Sequence, residues 1–232
     1  METALVTGSS SGIGLEIAKR LTDLNYRVFG LARNFNSCTF KHTRFEPVIC
    51  DITDTSALIP AVKKILKSEK KLNLLVNNAG IGTFGPVETI SPDDITAMVN
   101  TNLLAPMILT GQVVNRLRES RGRIINIAST AALKISPNGA VYSATKAGML
   151  HFGDALYEEV RKQGIAVTTI CPDITADTGF YQNASFEPHS STETHILPSC
   201  VADAVVNILQ QRNGTVISQI VIKPQRFQIS KR

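Results

Sequence analysis

Tyr142 and Lys146 stand four residues apart in a run that is predicted to be helical. Side chains at this spacing project from one helix face and can act together. A tyrosine with an ordinary pKa of about 10 is a poor acid–base group at neutral pH, and a neighbouring ammonium group lowers that pKa. The pair also occurs on helices for purely structural reasons. Ser129 favours catalysis, because it follows an apolar run at the strand end where doubly wound folds bind ligands.

A glycine-rich stretch, Thr7 to Gly14, separates a short apolar run from the amphipathic run Ile13 to Leu24, which predicts a strand-to-helix turn. Gly8 allows a tight turn, Gly12 lets backbone N–H groups approach a pyrophosphate, and Gly14 permits close helix packing. The helix start then offers unpaired N–H groups and a partial positive charge to phosphates. A structural turn without a ligand is the alternative, and the position between strand and helix favours dinucleotide binding.

The choice of dinucleotide depends on the residue that follows the second predicted strand. An acidic residue about 20 positions beyond the glycines usually holds the ribose 2′-hydroxyl, whereas an arginine there accommodates a 2′-phosphate. No Asp or Glu occurs between Asp23 and Glu46, and Arg33 stands at the predicted strand end. A bidentate guanidinium suits a phosphate dianion. The sequence therefore predicts NADP over NAD, with an exposed loop arginine as the alternative.

The 232 residues, 43% hydrophobic and 19% charged, predict one globular domain spanning 1–232. The net charge of +5 comes from scattered basic residues, with no tryptophan and no aromatic-interleaved basic stripe, so no nucleic-acid partner is expected. The four cysteines lack zinc-ligand spacing, and His189 and His195 lack a rigid ligand pattern, so no metal site is expected. The basic segment Lys223 to Arg232 is expected to be solvated.

Neither a basic leader followed by an apolar stretch nor a run approaching ~18 apolar residues is found, so we expect a cytoplasmic protein with no membrane partner. Fully apolar runs alternate with helical patterns along the chain. This alternation predicts an α/β protein with a doubly wound Rossmann fold, a seven-stranded parallel sheet in the order 3-2-1-4-5-6-7 and helices on both faces.

Two local features qualify this pattern. A helix predicted over Pro92 to Arg118 contains Pro106, which cannot donate a hydrogen bond to the Asn102 carbonyl. We therefore expect a free Asn102 carbonyl and a local kink, with a kink that serves only packing as the alternative. The segment 175–196 is polar, without clear periodicity, and follows a strand directly. It is expected to be a substrate lid, with an ordinary surface excursion as the alternative.

Together, these motifs are similar to those of a known family. The chain resembles the classical short-chain dehydrogenase/reductase family over essentially its full length, through Thr7-Gly8-x-x-x-Gly12-x-Gly14, Asp51, Asn77-Asn78-Ala79-Gly80, Asn102, Ser129, Tyr142-x-x-x-Lys146 and the Pro172 segment. The resemblance implies hydride transfer between a nicotinamide and a carbonyl or secondary alcohol. It gives Tyr142 the role of proton donor and acceptor, and Ser129 that of orienting the carbonyl.

The resemblance implies roles for two further residues and a cofactor site. Lys146 would bind the nicotinamide ribose and lower the pKa of Tyr142, while Asn102 would hold a water that refills the proton through Lys146. Asp51 would contact adenine. The predicted cofactor-binding set is Gly8, Ser10, Ser11, Gly12, Ile13, Gly14, Arg33, Asp51, Ile52, Asn78, Ala79, Gly80, Tyr142, Lys146, Pro172 and Thr175.

The chain departs from the family after its sixth predicted strand. The family commonly has Pro-Gly there, whereas this chain has Pro172-Asp173, which brings a carboxylate near the expected nicotinamide pocket. Asp173 either tunes the substrate's charge preference or points to solvent. Thr175 or Thr178 is expected to meet the cofactor, although the spacing fits the family pattern imperfectly.

The resulting prediction is an NADP(H)-dependent oxidoreductase, a carbonyl or 3-oxoacyl reductase, acting on a small-molecule substrate. An NADP(H)-binding regulatory protein with vestigial catalysis is the alternative, and turnover of ketones or oxoacyl thioesters distinguishes the two. The substrate pocket is expected to be lined by Lys134, Ile135, Asn138 and the lid. The resemblance also implies a homodimer or homotetramer, formed through the helices that carry Asn102 and Tyr142.

Overall fold

The computed structural model describes residues 1–182, 184 and 186–231. The strands found among them are β1 (Glu2–Thr7), β2 (Tyr26–Ala32), β3 (Phe45–Ile49), β4 (Leu74–Asn77), β5 (Arg123–Ile127), β6 (Ala166–Pro172), β7 (Phe186–Pro188), β8 (Gln219–Ile222) and β9 (Ile229–Lys231). The α-helices are α1 (Gly12–Asp23), α2 (Thr55–Ser68), α3 (Pro92–Val99), α4 (Ala105–Ser120), α5 (Ala140–Val160) and α6 (Pro198–Leu209).

Seven strands form one sheet in the spatial order β3-β2-β1-β4-β5-β6-β8, and every neighbouring pair is parallel. This confirms the predicted order, with β8 as the seventh strand. The strand order reverses direction between β1 and β4, so the loops that leave these two strands diverge. A doubly wound sheet has its ligand crevice at such a point.

Successive side chains of the strands belong alternately to two hydrophobic cores, one on each face of the sheet. In β1, Leu5 belongs to the core on one face, while Ala4 and Val6 belong to the core on the other. Helices α2, α4 and α5 cover the first face, and α1 and α6 cover the second. Because neither face of the central strands is left to solvent, these strands can be largely apolar, which is the pattern that predicted them, whereas the edge strands β3 and β8 are partly exposed.

The helix predicted over Pro92 to Arg118 is two helices joined by a π turn at Asn100–Leu104. The N–H group of Ala105 bonds to the carbonyl of Asn100, five residues back, and Pro106 has no N–H to continue the ordinary pattern. The single continuous helix was wrong, whereas the expected irregularity at Asn102 is confirmed.

The stretch Pro92–Ser120 has the length and composition of a membrane-crossing helix, with a hydropathy of 1.2, although it includes the π turn. Leu109, Val113 and Leu117 in α4 are almost completely buried against the sheet. This is the arrangement of a core helix that packs on a sheet.

The segment 223–231 is mostly exposed, as its charge predicted, and it also contains a strand. Its strand β9 pairs antiparallel with β7, and the two form a separate small sheet. The composition of this segment is basic, but its backbone is placed by a partner strand that lies some forty residues earlier in the chain.

Candidate active site

The three side chains predicted to carry the chemistry meet at the carboxyl edge of the sheet. Ser129 follows β5, while Tyr142 and Lys146 lie in the first two turns of α5. The Ser129 Oγ accepts the N–H of Ala131 at 3.1 Å, and Ser129 lies close enough to Tyr142 for hydrogen bonding to lower the pKa of the phenol. The Lys146 Nζ lies 5.8 Å from the centroid of the Tyr142 ring. A hydroxyl donor, a phenol and an ammonium group therefore share one site.

The pKa of Tyr142 is opposite in direction to the sequence expectation. Burial raises the pKa of the phenol well above its usual 10, the nearby Tyr181 raises it further, and the hydrogen bond with Ser129 lowers it. Desolvation disfavours the phenolate, and here this effect outweighs any lowering by Lys146. Tyr142 is accordingly held as a protonated phenol, the form from which a proton can be donated.

Lys146 is buried as well, with only 4% of its surface exposed. Its Nζ donates to the carbonyl of Ile127 at 3.0 Å. Burial lowers the pKa of Lys146 from 10.5 to about 8, and the neighbouring Cys171 thiol acts in the opposite direction. The amine therefore titrates close to neutral pH, where a group that passes protons is most effective.

Asn102 occupies the π turn and is almost fully buried. Its Oδ1 accepts the N–H of Ile81 at 2.8 Å, and its Nδ2 donates to the carbonyl of Ile81 at 2.8 Å and to Thr145 Oγ1 at 3.0 Å. The side chain thus joins the loop after β4 to α5. With its amide committed in this way, the main-chain carbonyl is the group of Asn102 that is suited to hold a water.

Gly80 brings this loop close to Lys146. A Cβ atom at this position would lie 3.2 Å from the Lys146 Nζ and 3.4 Å from the Asn102 Oδ1. The absence of a side chain therefore lets the backbone of the loop pass directly beside the ammonium group.

The glycine turn has the backbone geometry that its sequence requires. Gly8 and Gly12 have φ angles of 67° and 53°, a region that glycine enters without steric cost. A Cβ atom on Gly14 would overlap the carbonyl oxygen of Gly8, so the helix start packs directly on the turn. The turn is tied to the loop after β4 by Thr7, whose Oγ1 accepts the N–H groups of Asn78 and Ala79, each at 3.0 Å.

A cleft of about 830 Å³ runs along this edge of the sheet. Ser129 lines it, and so does the predicted cofactor-binding set apart from Gly14. Gly14 and Asn102 act from behind the cleft wall, through packing and through the backbone of Ile81. The structure therefore brings together residues that are spread over most of the sequence.

One end of the cleft is formed by the loops after β2 and β3. Arg33 is exposed there and, among the described residues, forms no salt bridge. The Asp51 carboxylate accepts the backbone N–H of Thr53 at 2.9 Å and its hydroxyl at 2.7 Å. Ile52 is buried beside it. This end thus combines an unpaired guanidinium with a fixed carboxylate and an apolar wall.

Residues 2–188 match the family model of the short chain dehydrogenases. The chain is a short-chain dehydrogenase/reductase. It is 32% identical over 224 residues to a ketoacyl reductase of Nostoc sp., which covers 93% of this chain and 78% of that relative.

Two solved structures are similar over almost their whole length. A 4-hydroxyisoleucine dehydrogenase complexed with NADH has a TM-score of 0.83 and 26% identity, with 97% of both chains covered. A metagenomic short-chain oxidoreductase in complex with NADP has a TM-score of 0.79 and 28% identity, with 96% of this chain and 97% of that chain covered. This short-chain dehydrogenase/reductase is therefore an oxidoreductase that acts on a carbonyl or an alcohol group.

The glycine turn of this short-chain dehydrogenase/reductase fits the phosphates of a dinucleotide. The residue before α1, Ser11, makes no side-chain hydrogen bond to the first turn of the helix, so that turn keeps N–H groups to offer a ligand. The positive φ angles of Gly8 and Gly12 remove side chains from the surface that a pyrophosphate would approach. The donor set and the shape of the turn both suit this group.

The other end of the cleft lies beside Pro172 and Asp173, after β6. Asp173 forms an ion pair with Lys134 at 2.9 Å, and its side chain is only 9% exposed. The carboxylate therefore does not point to solvent, which excludes one of the two interpretations left open by the sequence. The Oγ1 of Thr175, which is 4% exposed, donates to the Asp173 carbonyl at 2.9 Å. Thr178 lies closer to the glycine turn, 3.3 Å from a Cβ built on Gly12.

A cluster of aromatic rings, which the sequence interpretation missed, packs over Tyr142. The rings of Phe84 and Phe180 lie with their centroids 5.4 Å and 5.6 Å from that of Tyr142. Tyr181 packs on Phe180 at 5.1 Å, and Phe186 packs on Phe84 at 5.3 Å. Three of these rings come from segment 175–196. The concentration of aromatic residues in an otherwise polar segment is the signal from which this cluster could have been predicted.

The substrate pocket expected from the sequence is found only in part, since Thr175, Thr178 and Phe180 of segment 175–196 line the cleft. Ile135 is 94% exposed, and neither it nor Lys134 nor Asn138 lines the cleft. Asn138 has a positive φ of 61°, and its carbonyl accepts the N–H of Gly85 at 2.7 Å. The loop that carries these residues turns away from the cleft, so the prediction that they line it was wrong.

Proposed function

We propose that this chain is an NADPH-dependent reductase of a ketone or 3-oxoacyl carbonyl, with Tyr142 as the proton donor. The observation that carries the proposal is that Ser129, Tyr142 and Lys146 line one cleft, with the Lys146 Nζ 5.8 Å from the centroid of the Tyr142 ring. The similar ketoacyl reductase of Nostoc sp. supports the class of substrate.

Ser129, Tyr142 and Lys146 each have a different role in the proposed reduction. A reduced nicotinamide supplies the hydride when it is bound. The Ser129 hydroxyl donates a hydrogen bond to the substrate carbonyl oxygen and so orients and polarises the carbonyl. Tyr142 gives its phenolic proton to the oxygen as negative charge develops there. Lys146 stabilises the resulting phenolate and returns a proton to it, for which a pKa of about 8 is suitable.

The preference for NADPH rests on Arg33. Its guanidinium lies at the end of β2, lines the cleft and has no salt-bridge partner within the described part of the chain. A 2′-phosphate would give this cation a dianionic partner with matching bidentate geometry. Because similar structures hold NADH in one case and NADP in another, this residue is the one to test.

The test compares the binding of NADPH and NADH to the wild type, to Arg33→Ala and to the control Arg212→Ala. Arg212 is also exposed, but it lies after α6 and does not line the cleft. Loss of charge-assisted hydrogen bonds predicts that NADPH affinity falls about tenfold or more in Arg33→Ala, with NADH affinity unchanged. Unchanged NADPH affinity in Arg33→Ala contradicts the assignment.

Catalysis is tested by following the oxidation of NADPH with a panel of ketones and oxoacyl thioesters. Turnover by the wild type that falls by at least about 10²-fold in Tyr142→Phe, with NADPH affinity retained, supports the proposed reductase. Cofactor binding without turnover of any carbonyl favours the regulatory alternative.

We further propose a single domain over 1–232, with segment 175–196 as a substrate lid, in a cytoplasmic protein. The lid rests on the aromatic rings that it places over Tyr142. We also propose a homodimer or homotetramer through the helix faces near Asn102 and Tyr142. Val99, Leu104 and the small residues Ala144 and Ala147 are exposed there. Light scattering on the purified protein measures the assembly, and a monomer contradicts it.

A further inference from the structure

The segment 223–231 contacts the lid through its backbone. Strand β9 pairs with β7, with Ile229 opposite Pro188 and Ser230 opposite Glu187. β7 is the strand of the lid that follows the aromatic residues Phe180 and Tyr181, and β9 is its sheet partner. The lid is therefore held at this point by a part of the chain that lies outside the seven-stranded sheet.

A second contact lies three residues before β9. The N–H group of Arg226 donates to the carbonyl of Glu193 at 2.9 Å, and the Arg226 guanidinium lies 3.4 Å from the Glu193 carboxylate. Glu193 belongs to the returning half of the lid. The segment 223–231 thus contacts the lid on both sides of its turn.

A third contact joins the segment to the substrate end of the cleft. The Lys134 Nζ lies 4.7 Å from the centroid of the Phe227 ring, a cation–π arrangement. The same ammonium group pairs with Asp173 at 2.9 Å, and Asp173 lines the cleft. Phe227 therefore acts on the cleft wall through a single intervening side chain.

The contacts continue from β7 to the reacting tyrosine. Phe186, the first residue of β7, packs on Phe84 at 5.3 Å and on Tyr181 at 5.4 Å. Phe84 in turn packs on Tyr142 at 5.4 Å. A change in the position of β7 is therefore transmitted to the space over the Tyr142 hydroxyl through two ring contacts.

The contacts of the segment are individually weak and lie at the surface. Phe227 is 64% exposed, and the side chains of Arg226 and Glu193 are 73% and 47% exposed. A two-stranded sheet of three-residue strands is marginal by itself, and exposed ion pairs contribute little. The segment can therefore detach without disturbing the two hydrophobic cores.

We propose that segment 223–231 is a strap that holds the lid over Tyr142 and thereby sets access of the carbonyl substrate to the site. Phe227 and Arg226 are positioning residues in this scheme, since neither lines the cleft. The proposal rests on the proposed function only in taking Tyr142 as the reacting group.

The first test measures hydrogen exchange in the lid and does not depend on turnover. Backbone amides of segment 175–196 are compared in the full chain, in Phe227→Ala, in Arg226→Ala and in a chain ending at Lys223. We expect exchange in the lid to become about tenfold faster in the shortened chain, with smaller increases in the point variants and no change in α1. Unchanged lid exchange in the shortened chain overturns the proposal, whether or not the protein reduces a carbonyl.

The second test separates a strap from a general loss of structure. NADPH affinity is expected to stay within about twofold of the wild type in all three proteins, while KM for the carbonyl rises more than kcat changes. Phe227→Tyr keeps a ring under the Lys134 ammonium group and is expected to restore the wild-type KM. Arg212→Ala serves as the matched arginine control. The contact of Phe227 with Lys134 is contradicted if Phe227→Tyr and Phe227→Ala change KM equally. The contact of Arg226 with Glu193 is contradicted if Arg226→Ala and Arg212→Ala do so.

Discussion

Phe180 lies with its ring centroid 5.6 Å from that of Tyr142, and its Cζ occupies space within 2.7 Å of where a Cβ atom on Gly82 would stand. Phe84 has ring atoms 3.0 Å from the same point. The missing side chain at position 82 therefore leaves room for two aromatic rings to pack together over the Tyr142 phenol.

Gly82→Ala is expected to displace Phe180 and to raise KM for the carbonyl substrate several-fold, with NADPH affinity unchanged. Steady-state kinetics and cofactor titration measure the two effects. Phe180→Leu in the same chain removes the clashing ring edge and is expected to recover part of the loss, so the two changes are non-additive. If the effects of the two substitutions on KM are strictly additive, a direct contact between Phe180 and a side chain at position 82 is contradicted.

The low pKa of Lys146 predicts a limb in the pH profile of carbonyl reduction. The ammonium group is present below about pH 8 and is lost above it. Because Lys146 returns the proton to Tyr142, kcat/KM is expected to fall as the pH rises through about 8. Lys146→Arg, which stays charged over this range, is expected to be slower but to lack this limb. If kcat/KM of Lys146→Arg falls at the same pH as that of the wild type, the group that titrates is not Lys146.

The same shift affects stability with a definite sign. Between about pH 8 and the ordinary 10.5, the unfolded chain binds a proton at Lys146 that the folded chain lacks, so the contribution of Lys146 to the free energy of unfolding becomes more favourable as the pH rises. Denaturant unfolding of wild type and Lys146→Met isolates this contribution, because other titrating groups are common to both proteins. If the difference in unfolding free energy between the two proteins stays constant from about pH 8 to 10.5, the lowered pKa of Lys146 is contradicted.

Asn102→Ala removes the side chain that satisfies both the N–H and the carbonyl of Ile81. Each backbone group left without a partner inside the protein costs about 1–3 kcal/mol, so a clear loss of unfolding free energy is expected. Since the loop that passes Lys146 is also released, kcat is expected to fall more than KM rises. Thr145→Ser, which keeps the hydroxyl bonded to Asn102, is the control and is expected to remain close to wild type. Loss of stability without an effect on kcat limits Asn102 to a structural role.

Two glycines distant from the chemistry test the packing. A Cβ atom on Gly111, inside α4, meets nothing within 4 Å, so Gly111→Ala is expected to stabilise the protein by about 0.5–1 kcal/mol. A Cβ atom on Gly30, in β2, would overlap the Ser9 Oγ and the Phe45 ring, so Gly30→Ala is expected to destabilise it by about 1–3 kcal/mol. Thermal unfolding measures both. Shifts of the same sign contradict the packing described for these positions.

Much of the fold follows from local sequence patterns. The central strands are largely apolar because both of their faces are covered, and they alternate with helices whose periodicity is visible over a dozen residues. Pro106 predicted the irregularity that the structure has as a π turn, because every proline lacks a backbone N–H group. Ser129, Tyr142 and Lys146 lie in one site because strand ends and helix starts meet at the same edge of a parallel sheet.

Other features depend on tertiary contacts that no local pattern contains. The pKa of Tyr142 is set mainly by burial, and burial is a property of the surrounding rings rather than of the neighbouring lysine in the sequence. The pairing of β7 with β9 joins three-residue strands far apart in the chain, which are too short to show a period. Lys134 was expected to line the substrate pocket, but its ammonium group pairs with Asp173 and lies over the Phe227 ring instead.

Thr7 is a small residue in the interior of the sheet edge, and its hydroxyl accepts two successive backbone N–H groups of the loop after β4. Gly8 follows it directly, and Gly80 follows those two N–H groups. Thr7→Val would keep the shape and leave both donors without a partner. Together with the Asn78 Nδ2, which donates to the carbonyls of Thr7 and Gly8, this one hydroxyl ties the glycine turn to the loop that passes beside Lys146, so the two walls of the cleft are held by each other.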